Sequence, residues 1–168
     1  MPSPVRYCFS QRFPIPAQKA YKWCTNFSPE DRLLMRDEAA KRQITRVTDA
    51  TILLTDTFRT NRGYVEKQKL VQLYPDRLRW VSTHLTGPNR YSQFIYEISA
   101  EGNSASRLDF TALHLEYEKD NLDSEAVKSL AEKLKKEDAA AWKLLAKAMI
   151  KELGKWSRKR LLGFLFYV

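Results

Sequence analysis

The chain has 168 residues and carries 29 Lys and Arg against 20 Asp and Glu, a net charge of +9. That length fits one domain, or one domain with a short appendage, and buries enough surface to need no disulfide or metal staple. An apolar content of 43% and a charged content of 29% exclude a disordered or fibrous chain, and no apolar run reaches the roughly 18 residues of a spanning helix.

Cys8 and Cys24 lack C-x-x-C spacing and read as two reduced thiols. Met1-Pro2-Ser3-Pro4 leads into mixed residues with no signal-peptide pattern, so a cytoplasmic location is expected. Acidic residues accompany basic ones along most of the chain, and the unrelieved basic stretch is Lys151, Lys155, Arg158, Lys159 and Arg160. Nucleic acid is therefore the weakest of the partners that a basic chain suggests, because no basic stripe with exposed aromatics stands outside the tail.

Val5 to Phe13 alternates, with Val5, Tyr7, Phe9 and Phe13 on one face, which predicts a half-buried strand. Pro14 and Pro16 end it. Pro16 suits the first position of a helix whose apolar residues are Ala17, Ala20, Tyr21, Cys24 and Phe27. Ser28-Pro29-Glu30-Asp31 offers an N-cap, a helix-starting proline and acids at the positive helix end, so a second short helix is expected from Ser28.

From Gln43 to Glu118 the pattern is strand and turn throughout. The predicted strands are Gln43–Val47, Ile52–Arg59, Tyr64–Tyr74, Arg77–Leu85, Tyr91–Ser99 and Arg107–Glu118. Each connection is short and holds Gly, Pro, Asn or Asp, as at Asn61-Arg62-Gly63 and Pro75-Asp76, which predicts an antiparallel meander. After Asp123-Ser124-Glu125, the residues Val127, Leu130, Leu134, Trp142, Leu145, Met149 and Leu153 recur as one apolar helical stripe. Lys135-Lys136-Glu137-Asp138 interrupts that stripe, so a break or kink is expected there.

This order (strand, two short helices, meander, long amphipathic helix) resembles the START-like helix-grip superfamily, also called SRPBCC, of polyketide cyclase/dehydrase and lipid-transport-like proteins. The likeness covers about residues 5–155. It is carried best by Phe9–Phe27, where a strand ends in proline before a helix with an aromatic and a Trp, and by Ile52–Arg59. The resemblance implies an α+β fold: a curved antiparallel sheet of about seven strands wrapped around a long C-terminal helix, with a ligand cavity between them. The expected division is a helix-grip domain over 1–155 and a basic, apolar tail over 156–168. The superfamily hosts both carriers and enzymes, so fold alone does not assign function.

Strand parity selects the residues facing the helix. Leu78, Trp80, Ser82 and His84 share one face of their strand; Ser92, Phe94, Tyr96 and Ile98 share a face of the next; Leu108, Phe110, Ala112 and His114 share a face of the last. The short turns align Leu78 with Ile98 and Leu108, Trp80 with Tyr96 and Phe110, and His84 with Ser92 and His114. The face would thus grade from aliphatic to polar, which suits a ligand with an apolar body and a polar head. The expected ligand-binding residues are Leu78, Trp80, Ser82, His84, Phe94, Tyr96, Phe110, His114, Trp142 and Met149. For the aromatic residues and Met149, plain core packing is the competing reading.

The two histidines of the chain would stand roughly 10 Å apart. Satisfied polar residues are the plain reading and ligand-head contacts the alternative; Glu116 is the one candidate third ligand, so no metal site is assigned. No nucleophile with a base, no paired carboxylates and no phosphate loop appear, so no catalytic residue and no cofactor are assigned either. The expected function is non-catalytic binding or carriage of a small apolar or amphipathic molecule. The runner-up is a cyclase/dehydrase-type enzyme in which His84, His114 or Tyr96 moves protons.

The tail places Trp156, Arg158, Lys159 and Arg160 before Leu161, Leu162, Phe164 and Phe166. A basic segment followed by large apolar residues suits packing on its own domain, a homodimer contact, or peripheral attachment to an anionic membrane surface. Packing is the preferred reading.

Overall fold

The structure, a computed structural model, describes residues 1–31, 39–61, 63–117 and 121–163, the side chains of 39–40 and 154–163 excepted. Of the second short helix expected from Ser28, the start is described, with the Ser28 hydroxyl accepting from the Glu30 amide at 3.2 Å and Asp31 Oδ2 accepting from the Ser28 amide at 2.8 Å; residues 32–38, and Phe164 and Phe166 of the tail, lie outside the described residues. So do the side chains of Trp156, Arg158, Lys159, Arg160, Leu161 and Leu162.

Among the described residues seven strands form one curved antiparallel sheet. They are β1 (Ser3–Phe13), β2 (Ala39–Thr48), β3 (Thr51–Thr60), β4 (Gly63–Tyr74), β5 (Arg79–His84), β6 (Gln93–Glu101) and β7 (Ala105–Glu116). Their spatial order is β1-β7-β6-β5-β4-β3-β2, a meander whose last strand closes back on the first. Helix α1 (Ala17–Thr25) follows β1, and helix α2 (Ser124–Gly163) follows β7.

The turn chemistry fixes the ladder. Trp80 pairs with Tyr96 and Tyr96 with Phe110, and Ile98 pairs with Leu108, as parity and turn length predict. The third row also forms: His84 exchanges backbone hydrogen bonds with the Tyr91-Ser92 segment, and the Ser92 hydroxyl accepts from the Leu115 amide at 2.8 Å. Gly63, at φ +114°, lies in a backbone region closed to most side chains at the β3–β4 turn.

Several boundaries differ from the sequence reading, among them β2, which starts at Ala39 and not Gln43, and α2, which runs on to Gly163 into the expected tail. Pro16 is the N-cap of α1, with φ −56° and ψ 142°, and its carbonyl accepts from Lys19 and Ala20. Strand β5 starts at Arg79, because Pro75–Arg77 forms one 3-10 turn that Leu78 ends in a left-handed conformation. The expected break at Lys135–Asp138 does not occur: α2 is one helix. Asp138 sits in the apolar stripe and accepts a hydrogen bond from the Tyr7 hydroxyl at 2.6 Å, so its charge has a partner on the sheet. Asp123 caps α2 by accepting from the Ala126 amide at 2.8 Å.

Helix α2 covers the concave face with two different outcomes. Its first half drops Val127, Leu130 and Leu134 onto Val5, Tyr7, Phe94, Phe110 and Ala112, and that end is filled. Its second half brings Trp142, Leu145, Ala146 and Met149 towards Phe13, Ile52, Leu108 and Trp80. Between this half, α1 and β3–β6, a chamber remains.

Candidate functional site

The chamber has a volume of about 520 Å³. The sheet gives Arg42, Leu54, Lys69, Val71, Trp80, Ser82 and Tyr96 to its wall, α2 gives Trp142, Leu145 and Glu152, and α1 with the following loop gives Trp23, Cys24, Phe27 and Asp31. Trp80 and Tyr96 stack at 4.7 Å with planes 5° apart, and Trp142 closes on both at 6.3 and 5.7 Å. This aromatic corner offers wide, polarisable faces to an apolar guest.

A charged cluster forms part of the chamber wall. Arg42 on β2 grips Asp56 on β3 with two hydrogen bonds, Nε to Oδ1 at 2.6 Å and an Nη to Oδ2 at 2.9 Å. Lys69 Nζ on β4 adds a third contact at 3.3 Å to Oδ2. The side chains of Arg42 and Asp56 are 5% and 0% exposed. Burial pushes the Asp56 carboxyl up, but the Arg42 hydrogen bonds and the Lys69 charge outweigh it and hold the carboxyl below its usual range. Burial also pushes the Cys24 thiol up, so it stays protonated and is no nucleophile at neutral pH.

Of the residues expected to bind ligand, Trp80, Ser82, Tyr96 and Trp142 are on the chamber wall. Phe94 and Phe110 pack in the filled end, Met149 is fully buried in the main core, and Leu78 packs at its margin. His84 and His114 are not on the wall either. His84 Nδ1 stands 2.8 Å from Asn89 Oδ1, and His114 Nε2 lies 3.8 Å from Glu116 Oε2. Burial and then the Asp138 charge push the Tyr96 phenol up, so it stays protonated at neutral pH.

Sequence reasoning missed Lys69, Arg42 and Asp56. The signal was available in parity: Ile52, Leu54 and Asp56 alternate on β3, and Lys69 and Val71 share a face of β4. Charged residues at inward positions read as an interruption until the cross-strand pairing shows that they neutralise one another.

Burial and then the Lys69 charge pull His84 down to about 4 from 6.5, against the opposing pull of its Asn89 hydrogen bond. A folded value below the unfolded one means that the neutral ring adds stability complete above about pH 6.5 and lost as pH falls towards 4. The ring-proton NMR shift of His84 should therefore titrate with a midpoint near 4, and His84→Gln should flatten the decline of melting temperature across that window. A midpoint above about 6 would show that the ring is solvated.

No protein-family model matches the chain, and no curated protein matches it by sequence. Solved structures do. The chain is similar to the Zhui aromatase/cyclase of Streptomyces sp. R1128, at 10% identity and TM-score 0.70 over 90% of this chain and 96% of that one. It is similar to norcoclaurine synthase from Thalictrum flavum, solved with dopamine and hydroxybenzaldehyde, at 11% identity and TM-score 0.66 over 89% and 88%. A START superfamily protein from Mycobacterium smegmatis matches at 12% identity and TM-score 0.62 over 86% and 99%. At such identities the likeness is one of fold. Sheet order, terminal helix and neighbours agree: the chain has a START-like helix-grip fold, shared with an aromatase/cyclase among other solved structures.

Proposed function

We propose that the protein binds or carries a small hydrophobic or amphipathic molecule in the chamber between sheet and C-terminal helix, without transforming it. The observation that carries this reading is a 520 Å³ space walled by Trp80, Tyr96 and Trp142 between the sheet and the C-terminal helix. A volume of that size holds a guest of one to three rings. Binding is preferred to cyclase-type chemistry because, of the proton carriers considered (His84, His114 and Tyr96), Tyr96 alone reaches the chamber.

The neutral dye N-phenyl-1-naphthylamine tests this. It should bind one site, brighten, and quench tryptophan fluorescence. Ser82→Phe, which puts a ring into the chamber from a buried wall position, should reduce that binding at least ten-fold while the far-UV spectrum is unchanged. Equal binding by both proteins would place the dye elsewhere.

No helix among the described residues is long and apolar enough to cross a membrane. Within the proposal, the protein acts in the cytoplasm. The tail residues Trp156 to Phe166 form an association element, for a second copy or an anionic membrane surface, apart from the ligand domain over 1–155.

A further inference from the structure

Each of the five charged residues on the chamber wall already has a partner in the protein. Arg42 and Lys69 share the Asp56 carboxylate, and Arg42 also stabilises the Asp31 carboxylate, so two cations meet two anions at the inner wall. Asp31 in turn accepts from the Ser28 amide at 2.8 Å. Towards solvent, Glu152 accepts from Trp23 Nε1 at 2.9 Å and Glu30 accepts from the Ser28 hydroxyl; both acids are exposed. A charged guest that leaves water therefore meets no unmatched opposite charge at the inner wall. Burying such an ion costs far more than burying a hydrogen-bonded neutral group.

The sheet wall nevertheless keeps hydrogen-bond donors to offer. Lys69 pairs with His84 and Val71 with Ser82, while Ser82 pairs with Phe94 and Trp80 with Tyr96. Lys69, Ser82 and Tyr96 therefore descend diagonally across the adjacent strands β4, β5 and β6, and all three line the chamber. Among the described residues neither the Ser82 nor the Tyr96 hydroxyl has a protein hydrogen-bond partner, and Lys69 directs one of its donors to Asp56. An ammonium group can only donate, and a hydroxyl donates readily to a neutral oxygen.

From this arrangement we infer that the chamber selects an uncharged aromatic guest with a hydrogen-bond acceptor, such as a carbonyl or ether oxygen, seated on Ser82 and Tyr96 and its rings in the Trp80–Trp142 corner. This rests on the ligand-binding reading above and specifies the class of ligand. The acceptor loses little on entry, because the two hydroxyls replace the water it sheds. An ionised acid or amine of the same shape is rejected, because its counter-charge would have to be drawn from a pair that the fold already closes.

Three naphthalene dyes separate charge from hydrogen bonding. N-Phenyl-1-naphthylamine is neutral, and 1-anilinonaphthalene-8-sulfonate adds a sulfonate to the same rings. The third, 6-propionyl-2-dimethylaminonaphthalene, is neutral and carries a carbonyl whose emission moves to the red when it accepts a hydrogen bond. In physiological salt, which screens exposed charges, N-phenyl-1-naphthylamine should bind wild-type protein at least ten-fold more tightly than the sulfonate dye. Asp31→Asn keeps an acceptor for the Ser28 amide but removes one anion from the wall, and should narrow that margin at least three-fold. The Ser82→Ala/Tyr96→Phe double variant, which removes only hydroxyls, should weaken the carbonyl dye at least three-fold and move its bound emission to the blue. It should change N-phenyl-1-naphthylamine affinity by no more than about two-fold. A sulfonate dye or a cationic naphthylmethylammonium that binds wild type as tightly as the neutral dye would overturn the charge assignment, as would a margin that Asp31→Asn leaves unchanged. A carbonyl dye indifferent to the double variant would overturn its seat on Ser82 and Tyr96. A wild-type protein that binds none of the dyes would instead overturn the cavity reading on which the inference rests.

Discussion

Asp56→Ala should be among the most destabilising single substitutions in the sheet, lowering unfolding free energy by about 3–5 kcal/mol. The carboxylate is wholly buried, accepts two hydrogen bonds from Arg42 and one contact from Lys69, and ties β2, β3 and β4 together. Alanine removes the acceptor from both cations, whereas replacing Arg42 and Asp56 together with apolar residues leaves only Lys69 without it, and that side chain is 23% exposed. Arg42→Met with Asp56→Leu should therefore recover most of the loss. For a chain of this size the single variant should melt roughly 10 °C lower, and urea midpoints should follow the same order. Because the folded carboxyl lies below its unfolded range, its contribution is complete above the unfolded value near pH 4 and is lost as pH falls through the folded one. Acid should narrow the gap between wild type and variant. A single variant within 1 kcal/mol of wild type would mean that the pair is solvated.

The fold was legible because two signals agree over most of the chain. Turn residues at short, regular intervals set the strand ends, and large apolar residues at alternate positions set the inward faces; together they gave the Trp80–Tyr96–Phe110 and Ile98–Leu108 rows. Where the signals are weaker the boundaries moved. The sequence reading starts a strand at Arg77, but the proline turn takes in that residue and ends with Leu78 at φ 48°, so the strand begins at Arg79. At Lys135–Asp138 a charged run interrupts an apolar stripe, yet lysine and glutamate are good helix formers, and the inward Asp138 meets Tyr7.

The site was less legible than the sheet. Parity states which face a side chain occupies, but it does not state where the crossing helix touches that face. Phe94 and Tyr96 are equivalent by alternation, yet Leu130 and Leu134 cover the region around the first, while the second borders open space. Charge hid the rest. Lys69 and Asp56 occupy inward positions that a hydrophobicity pattern assigns to apolar residues, and only the cross-strand partner makes them tolerable there. The histidines were conspicuous for their rarity, but their partners lie outside the chamber wall, Asn89 in the loop after β5 and Glu116 on the same strand as His114.

Trp80→Ala should cost about 3–5 kcal/mol and also abolish dye binding, because this ring is both core and wall. It is 4% exposed, stacks on Tyr96 at 4.7 Å, meets Tyr21 edge-on at 6.0 Å and Trp142 at 6.3 Å. Truncation removes those contacts and adds the volume of an indole to a chamber that already holds about 520 Å³, so the walls cannot close on the gap. N-Phenyl-1-naphthylamine should bind at least ten-fold more weakly at a temperature where the variant is still folded, since one face of the aromatic corner is gone. Free indole distinguishes this account from general damage. It should enter the vacated position and raise the melting temperature of Trp80→Ala in a concentration-dependent way, by the linkage that makes any ligand of the folded state stabilising, at about 2.7 kcal/mol for a hundred-fold excess over Kd. Wild type, with the position already filled, should respond much less. A variant that melts within a few degrees of wild type would show that Trp80 is not the keystone of the corner. One that is destabilised but indifferent to indole would show that the sheet and α2 collapse into the space instead of preserving it.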